Sequence, residues 1–468
     1  MESEIVGINK ALKSGAYTCA DLIGERIKAL EGTTCNSSNF ILTDLALSMA
    51  KKVDDKINGG VEIGVLEGVP FGLKDVYMLQ GYPATGSSAI LRNYISPYTA
   101  TAISKLIDAG AIPLVKENCD CFGHGSSSEN TVFGPVRNAL DEKLVAGGSS
   151  GGSAVNVAKG YTSFSIGGDT GGSVRQPAGY NNVYGFKPTY GRISRYGVMA
   201  YASSTDCVGP IARNLEDIRI LINTMSGLDS RDNTTYQSAL IPGDIFSGEI
   251  SGKEFQVGYY RNFIESEDLD KGIKADFLRV LDVLRDRGIV VKELDFFNPG
   301  LLVSTYYALA MAETASNLAR LDGTTYGERL TGENIKEDRA LTRSEYFTEE
   351  TKRRIVGGTQ VLSHGYSEDI YQKARHISQQ IKNSFKRDFH NVNIIISPVT
   401  PNLPPSIGSS LDNPLLMYLS DAYTVGFSLG GLPTLTSPVA TATGIQITAD
   451  KDQEHIILKF AKFLNDIL

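Results

Sequence analysis

Two glycine-serine clusters, Gly147-Gly148-Ser149-Ser150-Gly151-Gly152 and Gly171-Gly172-Ser173, flank a short apolar run within residues 147–180. Glycine takes backbone angles that other residues resist and lets a ligand approach the main chain, so the clusters read as loops that offer backbone amides. A phosphate cradle is disfavoured: GGSSGGSA lacks the G-K-[ST] ending of a P-loop, and no G-x-G-x-x-G follows a strand. Serine chemistry remains, and it needs a base, an orienting group and donors for an oxyanion. Of the histidines at 124, 364, 376, 390 and 455, only His124 lies in a Gly/Ser-rich stretch, and no G-x-S-x-G elbow precedes an Asp…His order. Lys74, inside the apolar GVPFGLKDV, is the alternative base, because desolvation favours the neutral amine.

The neighbouring residues read as scaffold. Ser150 and Ser153 suit turns, and Asp169 and Arg175 on either side of Ser173 suit pairing with each other or with loops. Cys119, Cys121 and His124 crowd three candidate ligands into six positions, which fits no standard zinc spacing, so packing is the expected role and no metal is expected.

The elements that must position these residues follow from apolar periodicity. Ile5, Ile8, Ala11 and Leu12, then Leu22, Ile23, Ile27 and Leu30, predict two amphipathic helices punctuated at Gly15. After the turn-rich EGTTCNSSNF, LTDLALSMAKKVDDKI predicts a third, ended by Asn58-Gly59-Gly60. From Gly64 the pattern changes. TATAISKLIDAGAIPLVKEN and KADFLRVLDVLRDRGIVVKELDF each run helix, glycine, strand, and NVNIIISPVTP is a short buried strand closed by proline. The class is α/β. Residues 1–60 are expected as an N-terminal helical segment packed on the core and 61–468 as one large domain, with a helical cover at about 300–390 and an amphipathic helix at the C-terminus.

Composition limits the partners. The chain has 468 residues, 41% hydrophobic, without a run of about twenty apolar residues, which indicates a globular rather than a membrane protein. A net charge of −8 disfavours a general polyanion-binding surface, so any nucleic acid would be held by a partner. Five cysteines without a C-x-x-C pair suggest reducing conditions, and the acidic start MESEIVGINK carries neither a signal nor a transit pattern; a cytoplasmic location is expected.

GVPFGLKDV, GGSSGGSA and GGDTGGSVRQPAGYNNVYGFKPTYGRIS together resemble the amidase signature family, and SRYGVMAYASSTDCVGPIAR resembles its branch of tRNA-dependent amidotransferase A subunits. The likeness runs from about residue 60 almost to the end. It implies a central mixed β-sheet covered by helices on both faces. It also implies a Ser, cis-Ser, Lys triad of Ser173 as nucleophile, Ser149 as proton bridge and Lys74 as base, with the amides of Thr170, Gly171, Gly172 and Ser173 as oxyanion hole.

A glutamine substrate would need an anion for its α-amino group and a cation, best an arginine, for its α-carboxylate. The resemblance assigns these to Asp421 and Arg354, with Arg353 as the neighbouring choice, and adds Tyr306 or the adjacent Tyr307. It further implies a glutaminase that supplies ammonia for transamidation of Glu-tRNA(Gln) or Asp-tRNA(Asn). The partners would be a B-type subunit that uses ATP and Mg2+ and holds the mischarged tRNA, and a small C-type subunit completing a heterotrimer. No cofactor is expected in this chain. The alternative is a stand-alone amidase acting on another small amide. After GLPTLTSP the chain passes directly through VATATGIQITADKDQEH, which implies a shortened hairpin relative to the family.

Overall fold

The computed structural model describes residues 3–248, 250–365, 367–438 and 443–468. Its first helices form as their caps dictate. Ser3 accepts from the Val6 amide at the start of Glu4–Ser14, Gly15 closes that helix in the left-handed region, and Thr18 with Asp21 makes a capping box at the start of Cys19–Glu31. With the helix Thr43–Asn58, they bury Ile5, Ile8, Leu12, Ile23, Ala46 and Ala50 in the main core.

One sheet of 11 strands organises the described residues. In chain order these are β1 (Ser38–Ile41), β2 (Pro70–Lys74), β3 (Ile112–Glu117), β4 (Phe164–Asp169), β5 (Tyr184–Lys187) and β6 (Cys207–Ala212). They continue with β7 (Gln256–Tyr260), β8 (Val290–Leu294), β9 (Ile394–Pro398), β10 (Thr434–Ser437) and β11 (Ile445–Thr448). The spatial order is β1-β3-β2-β4-β6-β5-β10-β11-β9-β7-β8. β2 is parallel to both β3 and β4, and β7 is parallel to both β8 and β9. Between these two parallel groups the strands run antiparallel, so the sheet is mixed, and helices surround it.

The sequence pattern misses β1. Residues 1–60, expected as helical, contain this edge strand paired antiparallel with β3. All four of its residues are half-buried, so it carries no inside-outside alternation to read, and Ser38 and Asn39 are weak strand formers. The cover comprises the helices Pro299–Asn317, Ile335–Tyr346, Glu349–Leu362 and Gln372–Asp388. β10 and β11 pair from Thr434↔Thr448 to Ser437↔Ile445; the shortened connection expected here falls largely on residues 439–442, outside the described residues.

The parallel pairing of β2 with β4 is what matters for a site. Phe71 stacks on Phe164 with ring centroids 5.2 Å apart, and Leu73 lies opposite Ile166. Both strands therefore end at the same edge of the sheet, one at Lys74 and the other at Asp169, immediately before the second glycine cluster. Carboxyl ends of parallel strands are where α/β sheets open crevices for ligands.

Between them Gly72 admits the buried Glu117 side chain, which accepts from Ser165 Oγ at 2.6 Å and Asn156 Nδ2 at 3.1 Å. A Cβ on Gly72 would meet Glu117 Oε1 at 1.8 Å and Ser165 Oγ at 2.7 Å. Gly72→Ala is therefore expected to destabilise the fold by about 1–3 kcal/mol, read as a lower urea midpoint at unchanged slope.

Candidate active site

Lys74 ends β2 with 2% of its surface exposed. Its Nζ donates to Ser149 Oγ at 2.6 Å, to Ser150 Oγ at 3.1 Å and, at 3.5 Å, to the Gly168 carbonyl. Burial pushes its pKa below the usual lysine value, against the opposing charges of Cys119, Asp120, Asp169 and Asp206. A lysine in this setting is disposed to give up its proton, which a base must do.

The first cluster runs into the helix Gly151–Ala158, with Ser150 at its N-cap, and this places Ser149 and Ser150 against Lys74. The Gly148–Ser149 peptide bond is cis. The Gly148 amide donates to Gln176 Oε1 at 2.8 Å, and the Ser150 amide donates to the Ser173 carbonyl at 3.1 Å. That last bond joins the two glycine-serine clusters directly.

The second cluster is shaped by a buried ion pair. Asp169 Oδ2 accepts from the Val174 amide at 3.2 Å, the Arg175 amide at 3.3 Å and Arg175 Nε at 2.9 Å, while Oδ1 takes Arg175 Nη2 at 2.9 Å. Burial alone would raise the Asp169 pKa, but the Arg175 charge overcomes it and holds the carboxyl below its usual range. The remaining guanidinium donors go to the Thr424 carbonyl, Gln446 Oε1 and Ser428 Oγ.

Asp169 thus gathers the amides of residues 174 and 175 and makes the chain bulge between them and β4. Within the bulge the amides of Gly171, Gly172 and Ser173 have no protein acceptor among the described residues. Free amides crowded on one loop can hold a developing oxyanion. Gly171 and Gly172 are required sterically: a Cβ on the first would sit 2.7 Å from the Tyr306 ring, and the second has φ 151° with Thr424 Oγ1 2.4 Å from a built Cβ. Thr170 is fixed by its hydroxyl, which donates to Asp206 Oδ1 at 2.7 Å.

The cover brings the remaining candidates to the same place, and it separates the adjacent alternatives. Tyr306 lies on Gly171 and its hydroxyl is 3.5 Å from that of Tyr201, whereas the Tyr307 hydroxyl donates to Asp421 Oδ2 at 2.6 Å. Both tyrosines line the site, with different partners. Arg354 is 2% exposed; Arg353 has a side chain 44% exposed and pairs with Glu350 from outside. Arg354 donates from Nε to Glu350 Oε1 at 2.7 Å and from Nη1 to the Tyr201 hydroxyl at 2.6 Å.

Asp421 follows the helix Pro414–Ser420 and accepts from Ser126 Oγ at 2.9 and 3.0 Å. Burial raises its pKa to about 6, against the hydrogen bonds from Tyr307 and Ser126 and the Arg354 charge. Tyr307 touches both groups, its ring 5.3 Å from the Arg354 guanidinium and its hydroxyl on Asp421, and a neighbouring cation and anion can take the two ends of an amino acid.

Sequence reasoning missed several members of this group. Ser150, read as a turn former, contacts Lys74. Ser126 and Tyr201 sit in segments whose motifs are visible in the sequence but whose individual roles are not. Glu350 has a legible signal, since it lies one helical turn before Arg354. His124 is a wall residue: its ring meets the Tyr201 ring edge-on at 4.7 Å, Nε2 is 3.3 Å from Thr314 Oγ1, and burial, with the Arg354 charge, pushes its pKa well below the usual imidazole value. Cys119 lies 3.3 Å from Ser87 Oγ, and Cys121 donates to the Ser87 carbonyl. Among the described residues no three His, Cys, Asp or Glu side chains group as a metal site, and no helix is long and apolar enough to cross a membrane.

A lysine buried against serine hydroxyls, beside a loop of free amides and with a buried arginine and aspartate on the cover side, offers the parts that amide cleavage by a serine would need. The chain belongs to the amidase family, whose model, described as Amidase, matches residues 22–458. It is 37% identical over 452 residues to the A subunit of glutamyl-tRNA(Gln) amidotransferase from Chloroflexus aurantiacus, covering 95% of this chain and 91% of that one. To the same-named protein of Carboxydothermus hydrogenoformans it is 40% identical over 467 residues, covering 98% and 95%. The solved structure of the A subunit of glutamyl-tRNA(Gln) amidotransferase from Thermotoga maritima matches with a TM-score of 0.77 at 31% identity, covering 94% of this chain and 89% of that one.

The frame around the loop should be costly to break from one side. Arg175→Met leaves Asp169 charged, buried and unpaired, and is expected to lower stability by about 3–5 kcal/mol, measured by chemical denaturation beside the wild type.

Proposed function

We propose that this chain is the glutaminase subunit of a tRNA-dependent amidotransferase. The observation that carries the reading is the Lys74–Ser149 contact at 2.6 Å in a buried site whose neighbouring loop presents uncommitted amides. Identity of 37–40% along nearly the whole chain to proteins named as the A subunit of glutamyl-tRNA(Gln) amidotransferase supports the substrate and the assembly.

In this mechanism Ser173 Oγ attacks the side-chain carbonyl of glutamine while its proton passes through Ser149 to Lys74. The tetrahedral oxyanion is stabilised by the amides of Thr170, Gly171, Gly172 and Ser173. Lys74 returns the proton through Ser149 to the leaving nitrogen, the C–N bond breaks, and ammonia departs. Water, deprotonated along the same route, cleaves the γ-glutamyl ester to give glutamate and restore Ser173. Arg354 takes the α-carboxylate, Asp421 the α-ammonium, and Tyr306 closes the pocket over Gly171.

The ammonia serves a partner. A B-type subunit would bind the mischarged Glu-tRNA(Gln) or Asp-tRNA(Asn) and activate it with ATP and Mg2+, and a C-type subunit would clamp the pair. The net charge of −8 supports leaving tRNA and ATP to that partner, and this chain needs no cofactor of its own. Five unpaired, buried cysteines accord with a reducing, cytoplasmic setting.

Purified chain, alone and with co-expressed partner subunits, charged tRNA and ATP, should release ammonia from glutamine, and Ser173→Ala should reduce that release by at least about 10³-fold. Activity that persists in Ser173→Ala overturns the mechanism; turnover of unrelated amides without use of glutamine overturns the substrate. The pH profile provides a second check. Neutral Lys74 is the active form and its pKa lies below 10.5, so kcat should rise with pH on a limb below that value. Asp421 must be ionised to hold the ammonium, so KM for glutamine should climb as pH falls through about 6, and Asp421→Asn should raise KM and abolish that dependence.

A further inference from the structure

The cover helix Glu349–Leu362 holds an acid to which the reaction scheme assigns no step. Glu350 is 2% exposed, and its two oxygens serve three partners. Oε1 accepts from Arg354 Nε at 2.7 Å and from the Tyr418 hydroxyl at 2.9 Å, and Oε2 accepts from Arg353. One carboxylate shared by two guanidinium groups leaves a net positive charge on this cluster. The rings of Tyr201, Tyr307 and Tyr418 lie 5.3–5.7 Å from the Arg354 guanidinium carbon and restrict its orientation further.

A guanidinium has donors on all three nitrogens in a fixed plane, so holding one edge determines where the others point. Glu350 holds Nε and Tyr201 holds Nη1, while Arg354 Nη2 is buried with no partner among the described residues. A buried donor left unmade costs stability that folding alone does not recover, and an incoming oxygen anion would recover it. Glu350 also spans two elements. Tyr418 lies on the helix Pro414–Ser420, which leads directly into Asp421, so the acid ties the backbone bearing the cation to the backbone bearing the anion.

We propose that Glu350 is a positioning residue for the amide donor: by fixing the Nε edge of Arg354, it aims Arg354 Nη2 at the α-carboxylate and makes that carboxylate a requirement of the substrate. The inference rests on the glutamine reading above and adds a determinant of substrate choice to it. Glu350 touches no reacting atom. Removing it should loosen ground-state and transition-state binding alike, which raises KM and leaves kcat in place.

The test uses the full chain, with glutaminase kinetics on wild type, Glu350→Gln and Glu350→Ala, and calorimetric binding of L-glutamine and L-glutaminamide in the Ser173→Ala background. L-Glutaminamide keeps the α-ammonium and the side-chain amide but lacks the α-carboxylate. Glu350→Gln, which keeps the shape and one acceptor oxygen, guards against loss of folding in Glu350→Ala, and melting temperatures are recorded for each. The expected result is a KM for L-glutamine raised about tenfold or more with kcat within about threefold, and L-glutamine affinity falling while L-glutaminamide affinity changes less than about threefold. Equal losses for both ligands, a fall in kcat at constant KM, or no change in either would overturn the proposal. If wild type neither hydrolyses L-glutamine nor, as Ser173→Ala, binds it, the substrate reading falls and this inference with it; normal wild-type behaviour with unchanged Glu350 variants removes the inference alone.

Discussion

The structure depends on keeping Lys74 dry without giving it a carboxylate. Two lysines, Lys74 on β2 and Lys116 on the neighbouring β3, are both almost fully buried, and they have different partners. Lys116 on β3 pairs with Asp75 at 3.3 Å and donates to the Tyr77 carbonyl, so its charge is matched. Among the described residues Lys74 on β2 meets hydroxyls and a carbonyl only, and the nearest acids act on it through space. Desolvation then falls on Lys74 with little local compensation, which favours the neutral amine. Burial pushes both lysines below the usual value; beside Lys116 a carboxylate works against that shift, whereas Lys74 has hydroxyl partners and stands as the candidate base.

Everything around Lys74 serves to hold partners that the chain order keeps apart. β2 and β4 end together because they are parallel neighbours, and this places the second glycine cluster beside the lysine. Asp169 and Arg175 then fold that cluster into a bulge, and Arg175 extends the frame to Thr424, Ser428 and Gln446 near the far end of the chain. The cost of burying this pair is met by satisfying most of its donors and acceptors. Tyr306 closes over Gly171 from the helical cover, and the Glu350–Arg354–Tyr201 chain anchors that cover to the loop preceding β6. The lysine-serine group and the charged group are thus coupled through packing and need no direct contact.

Much of the site is legible in the sequence. The two glycine-serine clusters, the isolated Lys74 and the poor placement of the histidines already point to a serine reaction with an unusual base, and the helix-glycine-strand grammar points to α/β. The predicted helices at the N-terminus, in the cover and at the C-terminus stand where their periodicity puts them. β1 is not legible, since a half-buried edge strand has no alternation to detect.

What the amino-acid order determined by itself was local: which residues could ionise, where glycine freed the backbone, and which segments had an apolar face. Those properties travel with the residue type and its near neighbours. Tertiary structure alone decided that Ser150 shares Lys74, that Arg354 and not Arg353 turns inward, and that Tyr306 and Tyr307 take different partners. Each of these depends on burial and on contacts between segments far apart in the chain. Adjacent residues of one type are indistinguishable in sequence, and only the rotation of a helix against its neighbours sends one to solvent and the other to the site.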